Sequence, residues 1–205
     1  MQKNRLDLST KVQLTLYLGS QCNLHCAYCH REASDGEGGI SEEFLAELKE
    51  NPPGSIKFMG GEPLLYMKEI RKVVGAVPTA KFSVSTNGIG IEKHLDYFRE
   101  HHFQICISYD GAEKDLRGYD PFTALLEYPD LAVSTTLYHG NTDMGAIMER
   151  FREKEKVIGR PLSFFPHLMH VTSEANQPYA LTQEDYDSLL EQYKKYVGLY
   201  LSRLR

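Results

Sequence analysis

The segment KFSVSTNGIGIEKHLDYFREHHFQICISY, residues 81–109, reveals the class of fold. Its ends, Lys81–Thr86 and Phe103–Tyr109, are short apolar and β-branched runs that read as strands. Between them, residues 91–102 carry a helical pattern, and Asn87-Gly88 supplies turn chemistry at the first junction. A strand, a crossing helix and a second strand in so short a span imply parallel strands with a right-handed connection.

The same alternation extends in both directions. Further strands are expected at Val12–Leu18, Ser55–Met59, Leu131–Tyr138 and Leu162–Leu168. Helices are expected at Ser41–Glu50, Leu64–Val77, Pro121–Glu127, Met144–Ile158 and Thr182 to about Leu204. Ser41 with Glu42 and Glu43 forms an N-cap with acidic first-turn residues. Asn51-Pro-Pro-Gly ends that helix because proline cannot continue it. Along the last helix Tyr193, Tyr196 and Tyr200 recur at helical spacing, which favours core packing. Six strand–helix units fall short of the eight in a closed barrel. The expected fold class is therefore α/β, a partial (β/α)6 TIM-like barrel with parallel strands. A single domain is expected over residues 1–205, with its core at about 12–170.

Of the 205 residues, 41% are hydrophobic and 25% charged, with a net charge of −5. An acidic balance argues against bulk nucleic-acid binding. Neither a signal-peptide core nor an apolar run of membrane-spanning length is evident, so a cytoplasmic protein is expected.

Four cysteines are present, three of them in the segment Cys22-Asn-Leu-His-Cys26-Ala-Tyr-Cys29. In a reducing compartment such crowding indicates metal binding rather than disulfides. Three thiolates can hold three irons of one cubane and leave the fourth iron open, the logic of catalytic metal sites. A zinc site using His30 as fourth ligand, a c-type haem attachment at Cys26–His30 and unligated thiols are the alternatives.

Each later motif follows a strand, at the carboxyl end where parallel α/β folds bind ligands. After the second strand comes Gly60-Gly61-Glu62-Pro63, where glycines permit close backbone approach and Glu62 can accept from an ammonium group. Next come Ser85-Thr86-Asn87-Gly88, and then Ile107-Ser108-Tyr109-Asp110-Gly111 with Arg117 beyond. Cys106, Ser108 and Asp110 share strand parity, so one face would carry all three. Cys106 reads either as a small core residue or as a hydrogen-atom donor to a substrate radical. His167 and His170, three apart, point to opposite sides of an extended chain.

The CxxxCxxC loop, GGEP and I-S-x-D-G, in this order, resemble the radical SAM superfamily, and most closely its peptide- and protein-modifying branch. The resemblance covers roughly residues 12–170. It implies a [4Fe–4S] cluster on Cys22, Cys26 and Cys29. The open iron would chelate S-adenosylmethionine (SAM), and reductive cleavage would give a 5′-deoxyadenosyl radical that abstracts hydrogen from a substrate. It further implies SAM contacts from Tyr28, Gly60, Gly61, Glu62, Ser85, Asn87, Ser108, Asp110 and Arg117, with Tyr28 near the adenine and Arg117 at the carboxylate. A flavodoxin- or ferredoxin-type electron donor and a peptide or protein substrate are implied as partners. The chain departs from that branch in having no cysteine after Cys106, so no auxiliary cluster is expected. A glycyl-radical-enzyme activase, a radical SAM enzyme acting on a small metabolite, and an Fe–S or zinc regulator remain as alternatives.

Overall fold

The computed structural model describes residues 12–29, 39–111, 117, 120–125 and 127–202. His30 and Leu204 lie outside the described residues, as do the side chains of residues 198–202.

Six strands form one sheet in the order β1-β2-β3-β4-β5-β6. They are β1 (Gln13–Tyr17), β2 (Ser55–Met59), β3 (Lys81–Thr86), β4 (Gln104–Ser108), β5 (Leu131–Leu137) and β6 (Ser163–Leu168). Helices α1 (Glu42–Glu50), α2 (Met67–Ala76), α3 (Leu95–Glu100), α4 (Met144–Ile158) and α5 (Gln183–Ser202) complete it. Each strand lies beside its sequence neighbour, and β1–β2, β2–β3 and β3–β4 pair parallel. This is the strand order of the expected (β/α)6 TIM-like class.

The chain divides into two compact units. Among described residues, the first holds 12–24, 39–108, 121–125 and 127–132. Its core packs one sheet face, Leu16, Ile56, Phe58, Phe82, Val84, Ile105 and Ile107, with the helix residues Leu45, Ile70, Val73 and Phe98. Phe58, Phe82 and Phe103 stack at the centre with centroids 5.3–6.2 Å apart. Strand alternation puts every second residue on this face.

Three expected helical segments differ from their patterns. The run from Leu64 opens with a 3-10 turn, Pro63–Tyr66, before α2. Pro63 suits a first turn, and the Glu62 carboxylate caps it by accepting from the Leu64 amide at 3.0 Å. The run from Ile91 likewise begins as a 3-10 turn, after Gly90 at φ 78°. Among the described residues of the Pro121–Glu127 run, Pro121–Ala124 form a 3-10 turn.

The second unit holds residues 25–29, 109–111, 117, 120 and 133–202. Within it β5 continues to β6, where the Met169 amide donates to the Leu137 carbonyl at 2.9 Å. Helix α4 starts on the Asp143 cap and stops at Gly159, φ 76°. α5 begins at a reciprocal cap: Thr182 N donates to Asp185 Oδ2 at 2.8 Å and Asp185 N to Thr182 Oγ1 at 3.2 Å. The core role expected for Tyr193 is corrected. It is 67% exposed, whereas Tyr196 is half-buried. Both line an apolar cavity of about 560 Å³ with Met144, Met148, Phe164 and Leu189. Helical spacing alone cannot say how much of a stripe its neighbours cover. Among the described residues no helix is long and apolar enough to cross a membrane.

Candidate active site

In the first unit, the segment after β1 is laid against the turn after β2. Gly61 N donates to Gly19 O at 2.7 Å, and Glu62 N donates to Gln21 O at 2.8 Å. A Cβ on Gly61 would stand 1.9 Å from Gln21 O, and one on Gly60 2.7 Å from Gly19 O. Close approach, expected of the glycines toward a ligand, is thus used between two backbone segments. The Tyr66 hydroxyl takes the Gln21 amide at 3.0 Å. These contacts fix the chain just before Cys22.

Glu62 is held by protein donors. Its side chain is 0% exposed. Oε1 accepts from Leu64 N at 3.0 Å and Thr86 Oγ1 at 2.6 Å, and Oε2 accepts from Asn87 N at 2.8 Å. A buried carboxylate must be hydrogen-bonded, and here the bonds tie the β2 turn to the β3 turn.

Asn87 carries the chain of contacts onward. Its Oδ1 accepts from Ile89 N at 2.9 Å, which orients the amide. Nδ2 then donates to Asn23 Oδ1 at 2.8 Å and to Cys22 Sγ at 3.8 Å. Leu24 N also donates to that sulfur, at 3.4 Å.

In the second unit, Cys29 N donates to Cys26 O at 2.9 Å and closes the CAYC turn. Asn176, 1% exposed, holds it from far along the chain. Its Nδ2 reaches Cys29 O at 3.3 Å and His170 O at 3.2 Å. Nothing in the local sequence distinguishes Asn176, because only tertiary folding brings it to Cys29.

Tyr28 is buried, its ring stacked on Tyr138 at 4.7 Å beside Met169. Its hydroxyl donates to Asp110 Oδ2. Burial, with Asp110 alongside, pushes the phenol far above its ordinary range. The expected adenine platform is therefore mostly covered by protein.

Asp110 is the hub of this unit. Arg117 grips it with Nε on Oδ2 at 3.0 Å and Nη2 on Oδ1 at 3.2 Å, and Thr136 N adds a bond to Oδ1 at 3.1 Å. Side-chain exposures are 12% for Arg117 and 6% for Asp110. The third arm, Nη1, donates to Cys26 Sγ at 3.7 Å. Burial opposes the Arg117 charge, but Asp110, Tyr28 and Cys26 together hold its pKa above the ordinary value. The expectation that Asp110 shares a strand face with Cys106 and Ser108 is corrected. β4 ends at Ser108, and the bonds above set the direction of Asp110.

The sheet face opposite the first unit's core is polar. Thr15, Lys57, Ser83 and Gln104 stand in one register row across β1–β4. Beyond them, Ser85 pairs with Cys106 and hydrogen-bonds its sulfur. Burial pushes the Cys106 thiol up, against the pull of Lys57 and Ser85. Ser108 is half-buried at the end of β4. Lys57 is half-buried, and among the described residues no carboxylate pairs with it. His167 and His170 are both exposed.

Cys22 and Cys26 are half-buried and Cys29 is exposed. Among the described residues no three His, Cys, Asp or Glu side chains converge on one ion. A cubane asks for less convergence, since each of its thiolates binds a different iron. Two of the three sulfurs accept N–H donors, the surroundings that suit thiolates ligating a cluster. The donor set therefore fits an iron–sulfur cluster.

Comparison with known families places the chain. The Radical SAM superfamily model matches residues 16–128, more than half of the sequence, and the chain belongs to that superfamily. That superfamily is defined by a [4Fe–4S] cluster and SAM. Among curated relatives, a probable GTP 3′,8-cyclase of Archaeoglobus fulgidus is 37% identical over 93 residues, 42% of this chain and 31% of that protein. One from Methanocella arvoryzae is 31% identical over 109 residues, 50% of this chain and 35% of that protein. A GTP 3′,8-cyclase of Synechocystis sp. is 31% identical over 109 residues, 48% and 33% of the two chains. The chain spans about a third of the length of these relatives. The crystal structure of BtrN in complex with AdoMet and 2-DOIA is a distant likeness, with a TM-score of 0.42, 19% identity, and coverage of 77% of this chain and 58% of that one. The relatives quoted are named as GTP 3′,8-cyclases, which lends no support to the peptide- and protein-modifying branch.

Proposed function

We propose that this chain uses SAM and a [4Fe–4S] cluster on Cys22, Cys26 and Cys29 to start radical chemistry on a small, anionic metabolite. The observation that carries the substrate class is Lys57. A half-buried lysine on a polar sheet face, with no acid beside it among the described residues, suits a substrate carboxylate or phosphate. The names of the curated relatives support a small-molecule substrate over a peptide.

When bound, the cluster supplies the electron that cleaves the SAM sulfonium. The protein's own groups do the rest. Glu62 and the Gly60–Gly61 backbone set the loop that carries Cys22. Tyr28, Asp110 and Arg117 do the same for the segment that carries Cys26 and Cys29. Ser85, Cys106 and Ser108 line the polar face with Lys57; we assign Cys106 as the hydrogen-atom donor to a substrate radical, the thiyl radical it leaves being restored by one electron from the external donor and one proton. A one-electron donor of the flavodoxin or ferredoxin type is the partner we assign.

The test is anaerobic reconstitution with iron, sulfide, SAM and dithionite, followed by incubation with pools of phosphorylated and carboxylated metabolites. Production of 5′-deoxyadenosine that rises with one of these pools is expected, and Lys57→Met should raise KM about tenfold or more while leaving substrate-free SAM cleavage intact. Stimulation by unstructured peptides alone, with Lys57→Met neutral, would reject the substrate class.

A further inference from the structure

Two cysteine sulfurs meet side chains that the family resemblance assigns to SAM. Cys22 Sγ receives Asn87 Nδ2 at 3.8 Å, and Cys26 Sγ receives Arg117 Nη1 at 3.7 Å. Both donors are anchored from behind by a buried carboxylate. Glu62 Oε2 takes the Asn87 backbone amide at 2.8 Å, and Asp110 takes Nε and Nη2 of Arg117. The first relay lies within the first unit and the second within the other. They differ in charge, for Asn87 is neutral while Arg117 is a cation whose fork is already two-thirds committed to Asp110.

We propose that Arg117 is a positioning residue for the Cys26 thiolate rather than a partner of the SAM carboxylate, and that the Asp110–Arg117 pair sets the reduction potential of the cluster. The inference rests on Cys26 being a cluster ligand. A planar guanidinium held bidentately by one carboxylate has a fixed remaining edge, and that edge faces the sulfur. An N–H donor on a ligating thiolate stabilises the more negative, reduced cluster, so it raises the potential. Asn87 acts in the same sense on Cys22, more weakly because it brings a dipole and no charge.

The experiment measures the cluster's midpoint potential without SAM, by dithionite titration followed by electron paramagnetic resonance, and measures SAM affinity separately by calorimetry. Arg117→Met is expected to shift the balance between reduced and oxidised cluster about tenfold toward oxidised, which is about 59 mV more negative for one electron. Asn87→Ala should shift it in the same direction by less. Arg117→Lys retains the cation without the fork and should fall between wild type and Arg117→Met; it serves also if the methionine variant fails to fold. An unchanged potential in an iron-replete Arg117→Lys or Arg117→Met protein, with SAM affinity lost instead, overturns the inference and returns Arg117 to the carboxylate. Wild-type protein that assembles no cluster under the same conditions would instead sink the ligand assignment on which both readings stand.

Discussion

Replacing Glu62 with glutamine tests whether its carboxylate is a brace or a ligand group. The side chain is fully buried and takes three donors, two on Oε1 and one on Oε2. Glutamine keeps its volume but offers one acceptor oxygen. If that oxygen replaces Oε1, the new NH2 faces the Asn87 amide, so one charge-assisted bond is lost and two donors oppose each other. The lost bond costs about 1.5–3 kcal/mol and the stranded buried donor about 1–3 kcal/mol, offset in part by no longer burying a charge, for a net loss of about 2–4 kcal/mol. Alanine should be worse, at about 3–5 kcal/mol, because every donor is stranded. Against a total stability of about 5–15 kcal/mol, either change is large. Urea unfolding of the reduced apoprotein, followed by circular dichroism under anaerobic conditions, should show the Glu62→Gln midpoint lowered by about 1 M or more. A midpoint equal to wild type, with SAM affinity lost, would rule out the brace and put the carboxylate on the ligand.

Other expectations follow from the same contacts. Tyr28→Phe removes the hydroxyl donated to Asp110 and should cost about 1–3 kcal/mol in the same assay, with far-UV signal retained. In the reduced apoprotein, peptide mapping after iodoacetamide should find exposed Cys29 alkylated early and Cys106 last, because burial shields Cys106 and keeps it protonated. Asp185 is opposed by its partial burial, but the Thr182 bonds and His139 hold its carboxyl below the ordinary value. A depressed folded value means its contribution is present above the unfolded value of about 3.9 and fades as acid brings the pH down through the folded one. Asp185→Asn should therefore lower stability at neutral pH and flatten the acid limb of the stability–pH profile, read from unfolding midpoints between pH 7 and about 3.

Much of the scaffold was legible in the chain. Ser55–Met59 and Lys81–Thr86 coincide with strands β2 and β3, and Met144–Ile158 with α4. Ser41 caps α1 through its side chain to Phe44 N, as its position before two glutamates suggested. These features depend on local periodicity and cap chemistry, which a sequence displays directly. The 3-10 openings at Pro63 and Ile91 were not visible, because apolar spacing is nearly the same in both helix types while the cap and Gly90 decide between them.

The order of residues alone was enough for the alternation of strands and helices, the crowding of three thiols after the first strand and the succession of motifs at strand ends. It was not enough for the direction in which those motif residues face, which long-range folding imposes. Glu62 is drawn inward because Thr86 and Asn87 of the β3 turn meet it beside its own cap bond to Leu64 N, and Asp110 is claimed by an arginine seven residues away, a phenol from the cysteine loop and an amide of β5. Asn176 reaches the Cys29 carbonyl across 147 residues of chain. Local patterns cannot encode such partners, because a buried polar group takes its direction from whichever donors the folded chain brings within reach.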